Sequence, residues 1–144
     1  MKFEGEVQVP IPTEQLWNYI TNPEKIAICF PGLKNLNKEG NEYKVVGTAG
    51  VGFIKGEYKA NVKFTQIDTS TKTVSLLAKG NGLNSNVDIT AIVTVLENPT
   101  RLKYSADVKV SGILASVGAR LMDSAVNKIL NDLFECIKTK ASST

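Results

Sequence analysis

The chain has 144 residues, 42% apolar and 22% charged, the composition of one ordinary globular domain rather than two large ones. Its net charge is only +3, from 17 basic and 14 acidic residues, and the lysines run from Lys2 to Lys140 without forming a stripe, so no nucleic-acid partner is expected. Histidine is absent, which removes the commonest general base, the commonest metal ligand and every Ser–His or Cys–His nucleophile pair, so neither a catalytic residue nor a metal site is expected. No run of about 18 apolar residues occurs, so no membrane-spanning helix is expected. Cys29 and Cys136 lie far apart, each in apolar surroundings, and read as free thiols packed as small hydrophobes. Without a signal-peptide pattern at the start, they point to a reducing, cytoplasmic setting.

Residues 3–9 alternate Phe3, Gly5, Val7 and Val9 against charged and polar neighbours, the period of a strand. Pro10 and Pro12 end it. Thr13 is placed to cap a short helix carrying Leu16, Trp17 and Ile20 on one face, and Asn22-Pro23 breaks that helix. A second short helix follows over residues 23–28, with proline in its first turn, and Phe30-Pro31-Gly32 turns the chain. Residues 36–39 form a short, weak strand. Residues 43–51 place Tyr43, Val45, Gly47, Ala49 and Val51 on one face. The clearest alternation spans residues 54–67, with Ile54, Gly56, Tyr58, Ala60, Val62 and Phe64 inward and Lys55, Glu57, Lys59, Asn61 and Lys63 outward, as in an antiparallel sheet covered on one side. Further strands cover residues 73–79, 87–96 and 101–111, with Gly80-Asn81-Gly82 and Asn98-Pro99 read as the turns between them.

The period becomes helical from residue 112 to about 138. Leu114, Gly118, Leu121, Ala125, Ile129 and Leu133 follow spacings of three and four, and Arg120, Asp123, Asn127, Lys128, Asn131, Asp132 and Glu135 take the wet side. Lys128 and Asp132 are spaced to pair; Arg120 and Asp123 read first as a solvated face, with pairing to each other or to a partner protein as the alternative. Gly118 falls inside this helix, as a close-packing point or a kink. Only residues 139–144 look frayed, which sets a single domain over 1–140 and a tail over 141–144.

An amphipathic helix must bury its apolar face, and the inner face of the meander is the only partner large enough. The expected fold is therefore α+β: a curved seven-stranded antiparallel sheet gripping a long C-terminal helix, with two short helices after the first strand. Many facing positions are small: Gly47, Ala49, Gly56, Ala60, Ala78, Ala91 and Ala106 on the sheet, and Ala115, Gly118, Ala119 and Ala125 on the helix. Either these surfaces approach closely, with Phe64, Tyr58, Tyr104, Met122 and Phe134 filling the gap, or a void remains that a ligand would occupy. The candidate ligand-binding wall consists of Ile28 and Phe30 in the turn, Ala49, Tyr58, Ala60, Val62, Leu76, Ile89, Ala91, Val93, Tyr104, Ala106 and Val108 on strands, and Leu114, Val117, Gly118, Leu121, Met122 and Ala125 on the helix. Tyr58 and Tyr104 are its polar groups, each donating to a ligand carbonyl, to backbone or to solvent. No charged residue takes an inward strand position, which disfavours a charged ligand.

Three segments resemble one family. Ala27-Ile28-Cys29-Phe30-Pro31-Gly32 is similar to a Cys-Ile-Pro-Gly turn after the first helices, residues 50–58 (GVGFIKGEY) to a glycine-bearing strand pair, and residues 112–121 (GILASVGARL) to a Gly-x-Leu-Ala-x-x-Gly-x-Arg opening of the last helix. These look like the CoxG family, accessory proteins of aerobic carbon monoxide dehydrogenase within the START-like (SRPBCC) helix-grip superfamily. The resemblance covers nearly the whole chain. It implies an internal apolar cavity and a non-catalytic partner of a molybdenum hydroxylase, acting in assembly, membrane recruitment or handling of a quinone-like acceptor. Many relatives carry a further C-terminal tail that reaches the membrane, whereas this sequence ends in a polar stretch at Thr144. At most peripheral contact, at the inner face of the membrane, is expected.

The functional expectation is a non-enzymatic protein holding an apolar small molecule, quinone-like or lipid, with no resident cofactor. Two alternatives share the same features: an assembly factor with a filled core, and a helix-grip cyclase or dehydratase, which would need positioned acids and bases.

Overall fold

The computed structural model describes residues 1–52 and 54–143. Two positions read above, Phe53 in the glycine-bearing segment and Thr144 in the tail, lie outside the described residues. The elements are β1 (Lys2–Gln8), α1 (Thr13–Ile20), α2 (Pro23–Ala27), β2 (Leu33–Glu39), β3 (Glu42–Val51), β4 (Ile54–Asp68), β5 (Thr73–Gly82), β6 (Ser85–Leu96), β7 (Arg101–Gly112), a 3-10 turn (Ile113–Ser116) and α3 (Ala119–Ser142). The strands form one antiparallel sheet in the order β1-β7-β6-β5-β4-β3-β2. Each of β2 to β7 pairs with its sequence neighbour, the meander that short connections impose. β1 closes on β7, so α1 and α2 carry the chain from one edge strand to the other. The expected α+β helix-grip architecture is the observed one.

Local differences have physical reasons. The first helix has Pro12, not Thr13, at its N-cap position, with no side-chain cap; Thr13 Oγ1 instead lies 3.2 Å from Thr100 Oγ1. Asn22 does cap α2, its side chain accepting from the Glu24 N–H. β2 begins three residues earlier than expected, at Leu33, because pairing with β3 supplies the ladder that its own sequence only weakly favours. Gly80-Asn81-Gly82 is not a turn: β5 runs through it, and the reversal is the two-residue loop Leu83-Asn84, both with positive φ. Such a loop matches the twist of a hairpin.

The last helix also differs from its expected form. It starts at Ala119, after a 3-10 turn, and Gly118 is its N-cap residue at φ 95°, ψ 150°. Gly118 therefore neither packs inside a helix nor kinks one; its left-handed backbone is what requires glycine. The far end is not frayed at residue 139, since α3 continues to Ser142 and Ala141 is fully buried. Lys128 pairs with Asp132 at 3.0 Å, while Asp123 accepts from Asn127 at 3.2 Å, with no ion pair to Arg120 among the described residues.

The cysteine expectation is overturned. Cys29, just after α2, and Cys136, on α3, are joined by a disulfide across 107 residues of sequence, with Cα atoms 5.7 Å apart. Neither is a free thiol, so the cysteines no longer argue for a reducing setting.

Candidate ligand cavity

The buried apolar residues form three clusters rather than one continuous core. The first joins α1 and the C-terminal half of α3 to the sheet through Leu16, Trp17, Val95, Leu102, Phe134, Ile137 and Ala141. The second gathers Ala27, Tyr43, Val45, Val62 and Ala78 under α2. The third is small, with Val51, Leu114 and Met122 near the start of α3. Residues of all three line a single void of about 320 Å³ between sheet and helix, at the low end of the range for small-molecule sites.

Strand register explains why the clusters do not meet. Across the sheet, Ala60 lies opposite Gly80, Ala78 opposite Ile89, and Leu76 opposite Ala91, which is opposite Ala106. Two small pairs, Ala60 beside Gly80 and Ala91 beside Ala106, thus lower the floor on either side of the row that holds Val62, Ala78 and Ile89. Above this floor, Ala125, Val126, Ile129, Leu130 and Leu133 of α3 line the other side of the void. Consistently, inward residues such as Ala60, Leu76, Ile89, Ala91 and Val93 are only half-buried although they face α3.

The wall is overwhelmingly apolar, and no charged side chain lines it among the described residues. Its polar groups are few. Tyr58 Oη donates to the Pro31 carbonyl at 2.7 Å, and burial pushes its phenol up to about 12. Ser85 Oγ donates to the Leu83 carbonyl and accepts from the Leu114 N–H at 2.9 Å. Asn81 is exposed at the rim. Tyr104 stacks on Phe134 with ring centroids 4.5 Å apart.

Of the candidate wall residues, all but four border the void: Phe30, Ala49, Tyr58, Ala60, Val62, Leu76, Ile89, Ala91, Val93, Tyr104, Ala106, Val108, Leu114, Met122 and Ala125. Ile28, Val117, Gly118 and Leu121 do not. Ile28 and Leu121 are 41% and 38% exposed. Gly118 lies instead on a separate groove of about 400 Å³ with Met1, Lys109, Ala115 and Ala119. The difference follows from the helix start: with α3 beginning at residue 119 rather than 112, residues 117–121 do not follow one helical face, and Val117 packs against the third cluster instead. Also bordering the void, though outside the candidate wall, are Phe64, Val74, Ala78, Val87 and Val110, which the strand alternation turns inward, and Val126, Ile129, Leu130 and Leu133 on the helix. Leu83 had no signal, being a leucine at φ 56° in a tight turn; its side chain reaches over Gly56 and into the wall.

The geometry defines a class first: a helix-grip domain with an apolar void between its sheet and its long helix. Its fold is similar to a conserved protein from Geobacillus kaustophilus (TM-score 0.90, 24% identity, 99% of this chain and 96% of that one). It is also similar to a START superfamily protein from Mycobacterium smegmatis (TM-score 0.74, 10% identity, 99% and 97%) and to the Zhui aromatase/cyclase from Streptomyces sp. R1128 (TM-score 0.68, 10% identity, 99% and 93%). No curated protein matches the sequence. The chain belongs to the carbon monoxide dehydrogenase CoxG family, whose model matches residues 5–142. No helix of the described residues is long and apolar enough to cross a membrane.

Proposed function

We propose that this chain is a non-catalytic binding protein that holds an apolar small molecule, quinone-like or lipid, between sheet and helix, in the service of a carbon monoxide dehydrogenase-type molybdenum hydroxylase. The observation that carries this reading is the void where the three apolar clusters stop short of one another. Left unfilled, a void of about 320 Å³ leaves its apolar walls without packing partners on one side. Water makes a poor filling, because a buried water needs two to four polar partners. An apolar guest restores the contacts without leaving a charge unpaired.

The partner class rests on family membership, and contact with a membrane is proposed to be peripheral. The Zhui fold belongs to an aromatase/cyclase, but such chemistry needs positioned acids and bases. The wall offers two phenols and one serine, so binding rather than turnover is the reading adopted.

Solvent extracts of the purified protein, examined by mass spectrometry, are expected to contain an apolar molecule in near-stoichiometric amount. Adding quinones or fatty acids to the stripped protein should raise its melting temperature. Blank extracts together with no thermal shift would discard the carrier.

A further inference from the structure

The disulfide ties together two walls of the void. Cys29 follows α2, in a segment where Ile26, Phe30 and Pro31 border the cavity. Cys136 sits on α3 between Leu133 and Ile137, which border it from the other side. The bridge therefore spans the seam at which the α2 segment meets the helix.

The two walls are otherwise anchored separately. Tyr19 Oη of α1 donates to the Lys25 carbonyl at 3.1 Å, the Thr48 N–H of β3 donates to the Gly32 carbonyl at 3.1 Å, and Tyr58 Oη of β4 donates to the Pro31 carbonyl. Among the described residues, no hydrogen bond or ion pair of residues 22–32 reaches α3, which this segment meets through apolar packing and the disulfide. The helix has its own hold, through Phe134, Ile137 and Ala141 against Leu16, Trp17 and Leu102. What the bridge adds is that the two walls cannot part. Its sulfurs are also placed unequally: Cys29 is buried at 8% exposure, whereas Cys136 is half-buried. A thiolate arriving from solvent meets Cys136 first.

We propose that the Cys29–Cys136 disulfide is a reducible latch on the cavity, opened by a dithiol. One thiolate of the dithiol attacks Cys136 Sγ, the S–S bond breaks, and Cys29 leaves as the thiolate. The second thiol of the reductant then attacks the mixed disulfide, closing the reductant's own disulfide and releasing Cys136. The protein gains two electrons and two protons, both supplied by the dithiol. With the bridge gone, residues 28–31 move off α3 while their bonds to β3 and β4 hold, and a guest exchanges through the gap. This rests on the binding reading above and adds its regulation: exchange is slow in the oxidised protein and fast in the reduced one.

The test uses the whole chain, oxidised or reduced with dithiothreitol, and the neutral fluorophore N-phenyl-1-naphthylamine as the guest. Alkylation and mass spectrometry count the thiols, and near-ultraviolet circular dichroism checks that the reduced chain keeps its tertiary packing. In stopped-flow mixing, the reduced protein should release the probe at least about tenfold faster, since local opening follows local stability. Association should quicken by a similar factor, because a latch alters both directions and leaves affinity nearly unchanged. Reoxidation with diamide should restore the slow rates, and Cys29→Ser/Cys136→Ser should exchange fast with or without dithiothreitol. Equal rates in the oxidised and reduced protein would mean that there is no latch, although the cavity binds. A bridge that opens only once the chain is unfolded, or a reduced chain that loses its tertiary signal, would make the disulfide a structural staple and overturn the proposal. If neither form binds the probe, the binding reading itself fails and the latch has nothing to gate.

Discussion

The two halves of α3 meet the sheet in different ways. The C-terminal half is packed: Phe134, Ile137 and Ala141 interlock with Leu16, Trp17, Val95 and Leu102, Cys136 is bonded to Cys29, and Gln15 Nε2 donates to the Ala141 carbonyl. The N-terminal half begins at a glycine with no atom within 4 Å of where a Cβ would stand, and Met122 is its only buried residue before the void. One helix therefore serves two purposes. Its far end fixes it to the sheet, and its near end stands over the void. Local stability follows contact density, so residues 119–126 are the looser side of the helix.

Removing the disulfide should have the largest effect. A bridge across 107 residues limits the unfolded chain by an amount worth about 2–5 kcal/mol. The double variant Cys29→Ser/Cys136→Ser should lose stability of that order in urea unfolding. Amide exchange should rise most in residues 134–141, towards the faster exchange expected at 119–126. If the two halves already exchange alike in the bridged protein, the contrast between them is wrong.

A pair of enlargements sharpens the same contrast. Ala141 is fully buried, so Ala141→Leu overpacks and should cost about 1–3 kcal/mol. Ala91 borders the void at the centre of the floor, so Ala91→Leu should cost under about 0.5 kcal/mol or stabilise the empty protein, while weakening ligand binding at least tenfold. Equal costs at the two positions, measured by urea unfolding, would mean that the void closes in solution.

The strands, their inward faces and the change of period at the last helix were legible because each is a local pattern. The residues that make the void were legible one by one, as small side chains on inward positions. Their alignment was not, because Ala91 meets Leu76 and Ala106 only through register, which depends on turns such as Leu83-Asn84 where residue type misleads. The disulfide was illegible for a related reason. Nothing local to Cys29 or Cys136 records that α2 and α3 bring their Cα atoms within 5.7 Å. Gly118 was misplaced because an apolar spacing of three and four continues through the 3-10 turn, so the pattern alone cannot say where the α-helix begins.

The smallest expected effect concerns the tyrosine that faces α2. Burial raises the Tyr58 phenol from 10.0 to about 12, so the folded protein favours the neutral form more than the unfolded chain does. The contribution is fully present below pH 10 and is lost as pH rises towards 12, because the unfolded chain ionises first. Wild type should therefore lose stability more steeply between these values than Tyr58→Phe. The slope should not vanish in the variant, since burial also raises Tyr19. Tyrosinate absorbance followed alongside urea unfolding checks both points. A variant with the wild-type slope would mean that Tyr58 is well hydrated, and that the Pro31 end of the cavity is as open as the side under residues 119–126.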